Sequence, residues 1–147
     1  MRFEDVEINL VESGDGISVK LSADSTAVSY IHLRWNRSFP DGTLFLGDAW
    51  ERSYGDLQWS ACNASRLMPW YFLAHCGNTT SGVGVKVRPG AMALWSVDPK
   101  GITLWLDVRC GTRGVILKNR TLVAATVVSL IYFLRFLLII LSITKND

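Results

Sequence analysis

The stretch Trp95-Ser96-Val97-Asp98-Pro99-Lys100-Gly101-Ile102-Thr103-Leu104-Trp105-Leu106-Asp107-Val108 carries the clearest structural signal in the chain. Trp95 and Val97 lead into Asp98-Pro99-Lys100-Gly101. Ile102, Leu104, Leu106 and Val108 then alternate with Thr103, Trp105, Asp107 and Arg109. A period of two marks a half-buried strand, because successive side chains leave opposite faces. Pro pre-sets φ at the second turn position, and Gly is tolerated at the last. The stretch therefore reads as a β-hairpin.

Strand patterns extend on both sides of it. Val6, Ile8 and Leu10 alternate with Glu7 and Asn9; Ile17, Val19 and Leu21 alternate with Ser18, Lys20 and Ser22. Gly14-Asp15-Gly16 between them supplies the positive φ of a tight reversal. Ile31, Leu33 and Trp35 form another apolar face, as do Val83, Val85 and Val87. Towards the C-terminus, Val115 and Leu117 start a strand, Asn119-Arg120 turns, and Leu122 to Val128 returns. No long segment of helical period precedes residue 121. Short strands at this spacing predict an all-β chain, an antiparallel β-sandwich or barrel. From about residue 38 to 82 the alternation fails and aromatics crowd in, so this segment reads as a long functional loop.

The overall composition hides a division. The 147 residues are 49% apolar, with 15 Lys+Arg against 13 Asp+Glu, and the mean hydropathy is +0.22. So little basic excess leaves nothing to cover phosphates, which excludes a nucleic-acid module. So much apolar content excludes a disordered chain. Residues 121–147, however, carry only Arg135, Lys145 and Asp147 as charges. The chain divides into a globular body, 1–128, and a hydrophobic tail, 129–147.

All six tryptophans lie between Trp35 and Trp105. The run from Phe45 to Trp59 mixes aromatics with carboxylates and arginine. Such surfaces suit sugars, whose C–H faces stack on indole and whose hydroxyls need Asp, Glu or Arg partners. The competing reading makes these aromatics core and Asp48, Glu51 and Arg52 a local ion pair.

Gly47-Asp48-Ala49-Trp50-Glu51-Arg52, Tyr54-Gly55-Asp56-Leu57 and Met68-Pro69-Trp70-Tyr71-Phe72-Leu73-Ala74-His75 resemble the N-terminal region of α-galactosidase-like glycoside hydrolases of family 36. Gly82-Val83-Gly84-Val85-Lys86 and Leu104-Trp105-Leu106-Asp107-Val108-Arg109 continue the likeness, which runs from about Met1 to Val128. The resemblance implies a β-sandwich followed by a (β/α)₈ barrel. It also implies that the sandwich lends acidic or aromatic residues to the sugar pocket. The positions carried over are Asp48, Trp50, Glu51, Tyr54 and Trp70. Retaining glycosidases need two carboxylates flanking the scissile bond, and in this family both come from the barrel. A barrel takes roughly 250 residues, so no hydrolysis is expected from this chain alone, and no catalytic residue is assigned.

Other chemistry is poorly represented. His32 and His75 are the only histidines, and His75-Cys76 with Cys62 lacks zinc-site spacing. No metal or cofactor is expected. Met1 to Glu7 is acidic and has no apolar core of a leader, so the body is expected in the cytosol. Three cysteines, Cys62, Cys76 and Cys110, then read as free thiols. The four N-x-S/T sequons, at Asn36, Asn63, Asn78 and Asn119, would matter only in a secretory lumen.

The tail admits two readings. Leu122 to Ile143 contains one charge, Arg135, and 15 Leu, Ile, Val or Phe residues. As a C-terminal hydrophobic helix it would span about 33 Å, enough for the roughly 30 Å hydrocarbon core. The apolar residues contribute roughly −5 to −9 kcal/mol against about +3 for the arginine. On this reading the chain is tail-anchored, with a cytosolic sandwich that docks a partner. Alternatively, Thr121 to Val128 is the last strand of the body. Only Ser129 to Thr144, 16 residues, then remains, short for a span. The likeness also ends abruptly at Val128, which suits a tail made by a shifted frame or an early stop. The expected partners are a galactoside or other glycan, a membrane through the tail, and a second copy of the chain in a homo-oligomer.

Overall fold

The computed structural model describes residues 1–14, 16–49 and 57–129, together with the backbone of 142–145. The strands are β1 (Arg2–Phe3), β2 (Val6–Ser13), β3 (Gly16–Ala23), β4 (Val28–Asn36), β5 (Leu44–Gly47) and β6 (Met68–Pro69). They continue with β7 (Tyr71–Cys76), β8 (Thr79–Val85), β9 (Met92–Asp98), β10 (Gly101–Asp107), β11 (Thr121–Ser129) and β12 (Ser142–Lys145). Two antiparallel sheets result. The seven-stranded sheet runs β1-β2-β3-β11-β8-β7-β5, and the five-stranded sheet runs β12-β4-β10-β9-β6.

The period-two faces form the core between the sheets. Val6, Ile8, Val19 and Leu21 face inward from one sheet, and Ile31, Leu33, Leu104 and Leu106 from the other. Trp95 of β9 is fully buried where the sheets meet. Its ring centroid lies 5.8 Å from that of Phe72 on β7 and 5.8 Å from that of Trp35 on β4. Phe45 joins the cluster at 6.2 Å from Phe72, with Phe39 at 5.0 Å beyond it.

Two of the expected hairpins are present. Trp95 pairs with Leu104 and Asp98 with Gly101. Gly14, at φ 61°, turns β2 into β3. Three expectations need correction. Val87 lies outside β8 and is 91% exposed, so the valine alternation ends at Val85. Val115 makes only a single bridge, to Val28, and Leu117 N–H donates to Ala23 O. The 115–128 region is therefore not a hairpin. β11 instead inserts between β3 and β8, in the middle of the larger sheet. The segment 38–82 is not one loop either, because it contributes β5, β6, β7 and the start of β8.

β11 also bears on the tail. Leu122–Ser129 is strand, paired with β3 and β8, so the helix expected over 122–143 does not form in its first eight residues. Ser142 and Ile143 belong to β12, on the edge of β4. Residues 130–141 lie outside the described part. No helix among the described residues is long and apolar enough to cross a membrane.

Asp5 fastens the β1–β2 turn to the β3–β4 connection. Its carboxylate accepts hydrogen bonds from the backbone N–H and hydroxyl of both Ser25 and Thr26. These bonds, the Thr26 hydroxyl foremost, hold the Asp5 carboxyl far below its ordinary value of 3.8. The folded state thus binds this proton less readily than the unfolded chain. The stabilisation is complete above about pH 4 and is lost as pH falls further, towards the depressed folded value. Asp5→Asn is expected to flatten the acid limb of a stability–pH curve below about pH 4; urea melts between about pH 2 and pH 6 measure it. A variant with the parent's acid slope would contradict this role.

Candidate functional site

One residue carries the chain from one sheet to the other. Met68 and Pro69 pair with Trp95 and Leu94 in the five-stranded sheet. Tyr71 and Phe72 pair with Gly84 and Val83 in the seven-stranded sheet. Trp70, between them, takes φ 66°. A bulky side chain in this left-handed region costs of order 1–3 kcal/mol and persists only where the surroundings fix it. Here both sheets fix it. Trp70 N–H donates to Ala93 O at 3.1 Å, while Trp70 O accepts from Val85 N at 3.0 Å and from Trp95 Nε1 at 3.1 Å. With its backbone held on both sides, the corner leaves Trp70 37% exposed.

Trp70 lines an open groove of about 580 Å³ with Met92, Asp107 and Arg109. Gly90 and Ala91 form another wall. Ala91 N–H donates to Ala124 O at 2.9 Å, at the point where β11 shifts register between Val123 and Ala125. A Cβ on Gly90 would lie 2.4 Å from Val123 O, so the wall needs glycine to approach the strand. Met92 and Asp107 face each other across β9 and β10.

Asp107 and Arg109 close on one another. Arg109 Nε donates to Oδ1 at 2.9 Å and Nη2 to Oδ2 at 2.7 Å; the Arg109 backbone N–H also reaches Oδ1, at 3.0 Å. The Arg109 hydrogen bonds hold the Asp107 carboxyl below the ordinary carboxylate range against a partial desolvation that raises it. The same contact raises the guanidinium, so the pair stays ionised at neutral pH. The guanidinium carbon also sits 4.7 Å from the Tyr30 ring centroid, a cation–π contact.

Two of the five sequence candidates, Asp48 and Trp70, are described; Trp70 lines the groove and Asp48 does not. Asp48 follows Gly47 directly, and Gly47 pairs with Phe72. A Cβ on Gly47 would meet Met68 Cγ at 2.4 Å, so glycine lets the Asp48 strand press against the residues just before Trp70. The Asp48 carboxylate accepts the Ala49 N–H at 2.9 Å. Trp50, Glu51 and Tyr54 lie outside the described residues. Met92, Asp107 and Arg109 are not among the sequence candidates. Their one sequence signal is an Asp-x-Arg at a strand end, where a two-residue spacing returns both side chains to one face.

Cys62, Cys76 and Cys110 carry free thiols. Among the described residues, no group of three or more His, Cys, Asp or Glu is placed to hold a metal ion. Comparison of the chain with protein-family models, with curated proteins and with solved structures finds no match.

Proposed function

We propose that the chain is the non-catalytic, carbohydrate-related β-sandwich portion of an α-galactosidase-like glycoside hydrolase. The observation that carries the reading is the Trp70 corner, where a strained backbone presents an indole beside a polar groove. Strain of this kind concentrates at ligand sites. The groove volume also falls in the range of small-molecule pockets, about 300–1,000 Å³. The motifs resembling family 36 point to a sugar. The role is binding and positioning. The carboxylate pair that hydrolysis demands belongs to the barrel of the resemblance.

Calorimetric titration of the full chain with methyl α-galactoside tests this. The expected result is heat of binding with a Kd in the millimolar range, about −4 kcal/mol. Trp70→Ala should weaken binding about tenfold, the scale of one lost aromatic contact. Absence of heat with the parent, or unchanged heat with a Trp70→Ala chain that melts cooperatively, would refute the reading.

A further inference from the structure

We propose that the groove takes one uncharged pyranoside, its ring lying on the Trp70 indole and two adjacent hydroxyls engaging Asp107 and Arg109. This rests on the carbohydrate reading above and specifies the ligand's charge and its polar anchor.

Charge is the first argument. Among the described residues, Asp107 and Arg109 are the only charged side chains lining the groove, and they neutralise each other at 2.7 Å. A phosphate or carboxylate ligand would need a cation of its own. An anion accepting from Arg109 would sit beside the Asp107 carboxylate, with no second cation lining the groove to offset the repulsion. An uncharged ligand with hydroxyls leaves the fork intact.

Valence is the second. A sugar hydroxyl both donates and accepts. Arg109 uses Nε and Nη2 on Asp107, while Nη1 makes no hydrogen bond among the described residues. Asp107 oxygens keep acceptor capacity beyond the bonds from Arg109. One hydroxyl can accept from Nη1 while its neighbour donates to the carboxylate. Adjacent hydroxyls of one ring match a donor and an acceptor held side by side.

Preorganisation is the third. The Tyr30 ring and the Asp107 fork fix Arg109 before any ligand arrives. Ordering a free arginine would otherwise cost side-chain entropy on binding. Met92, 37% exposed, supplies an adaptable apolar surface for the remainder of the ring.

The experiment titrates the full chain with methyl α-galactoside, galacturonate and galactose 1-phosphate, each at about 50 and about 500 mM salt. The parent should bind the neutral galactoside with little salt dependence and the two anions no more tightly. Asp107→Asn and Arg109→Lys should each weaken the neutral sugar about tenfold or more. Arg109→Lys keeps the charge and loses only the planar fork. In the unaltered chain, the Trp70 indole N–H and Arg109 Nε–H resonances should shift on titration, which tests the site even if a variant fails to fold. If Trp70→Ala loses the sugar while both ion-pair variants bind as the parent does, the anchor is refuted and the carbohydrate reading stands. Tighter binding of an anion that collapses at high salt refutes the uncharged ligand. If the parent binds no saccharide, the carbohydrate reading fails and this inference with it.

Discussion

Trp95→Ala is expected to destabilise the protein by about 3–5 kcal/mol, the usual cost of deleting a large buried aromatic. Trp95 is 0% exposed and touches the aromatic rings of both sheets. For a chain of this size the loss should lower Tm by roughly 10 °C or more. Trp95→Phe separates packing from hydrogen bonding. Phenylalanine keeps most of the ring but removes the N–H that reaches Trp70 O. That carbonyl retains the Val85 N–H, so no buried acceptor is orphaned. The hydrogen-bond part of the loss should be only about 1 kcal/mol. Its effect should concentrate at the corner, visible as a changed environment of the Trp70 indole. Equal loss in the two variants would mean that the hydrogen bond, not the packing, holds the sheets together here.

Gly101→Ala should cost about 2–3 kcal/mol, near the upper end for overpacking. A Cβ at this position would sit 2.3 Å from Trp35 O and 3.2 Å from Arg34 Nη2. The carbonyl belongs to strand backbone and cannot swing aside, so β4 and β10 would have to part. Arg34 is itself held by two hydrogen bonds to Asp98, at 2.7 and 2.8 Å, and one to Thr103 at 2.9 Å. Gly14→Ala makes the contrast. No atom lies within 4 Å of its added Cβ, but φ is 61°, so the cost is conformational, about 1–2 kcal/mol. Urea melts should show both as a lower midpoint with an unchanged slope. A neutral Gly101→Ala would contradict the close approach of the two strands.

These two glycines illustrate what can be read without a structure. Gly14 is legible, because a glycine between two alternating runs has one common use. Gly101 looks the same in sequence and serves a different purpose: its φ is ordinary, and it makes room for a neighbouring carbonyl. Strands with one polar face, such as Ile31-Leu33-Trp35, are plain from period two. β5 and β7 are hidden because their outer faces are also apolar. Leu44 and Tyr71 are exposed while Phe45 and Phe72 are buried, so no alternation marks them. The position of β11 is out of reach, because its partner strand β3 lies about a hundred residues earlier. Trp70 stands out as an aromatic, but its left-handed backbone has no local signal. A bulky residue enters that region only when distant strands impose it. The Asp107–Arg109 pair is inconspicuous because Trp70 and Met92, which line the groove with it, and Tyr30, which holds Arg109, are remote in sequence.

The central place of β11 governs how the molecule comes to be folded. Ser22 and Thr121 join hydroxyls at 3.0 Å across 99 residues of chain, and Ser18 and Thr126 do so across 108. Until residue 121 onward is in hand, β1-β2-β3 and β8-β7-β5 are two separate ribbons with no strand between them. Each then presents a raw edge, the template on which β-rich chains aggregate. Loop closure over such distances precedes the reward of pairing, so folding belongs to the slow, millisecond-to-second class of sandwiches. During that interval the vulnerable surfaces are the open edges of β3 and β8, and β11 is the strand that seals them.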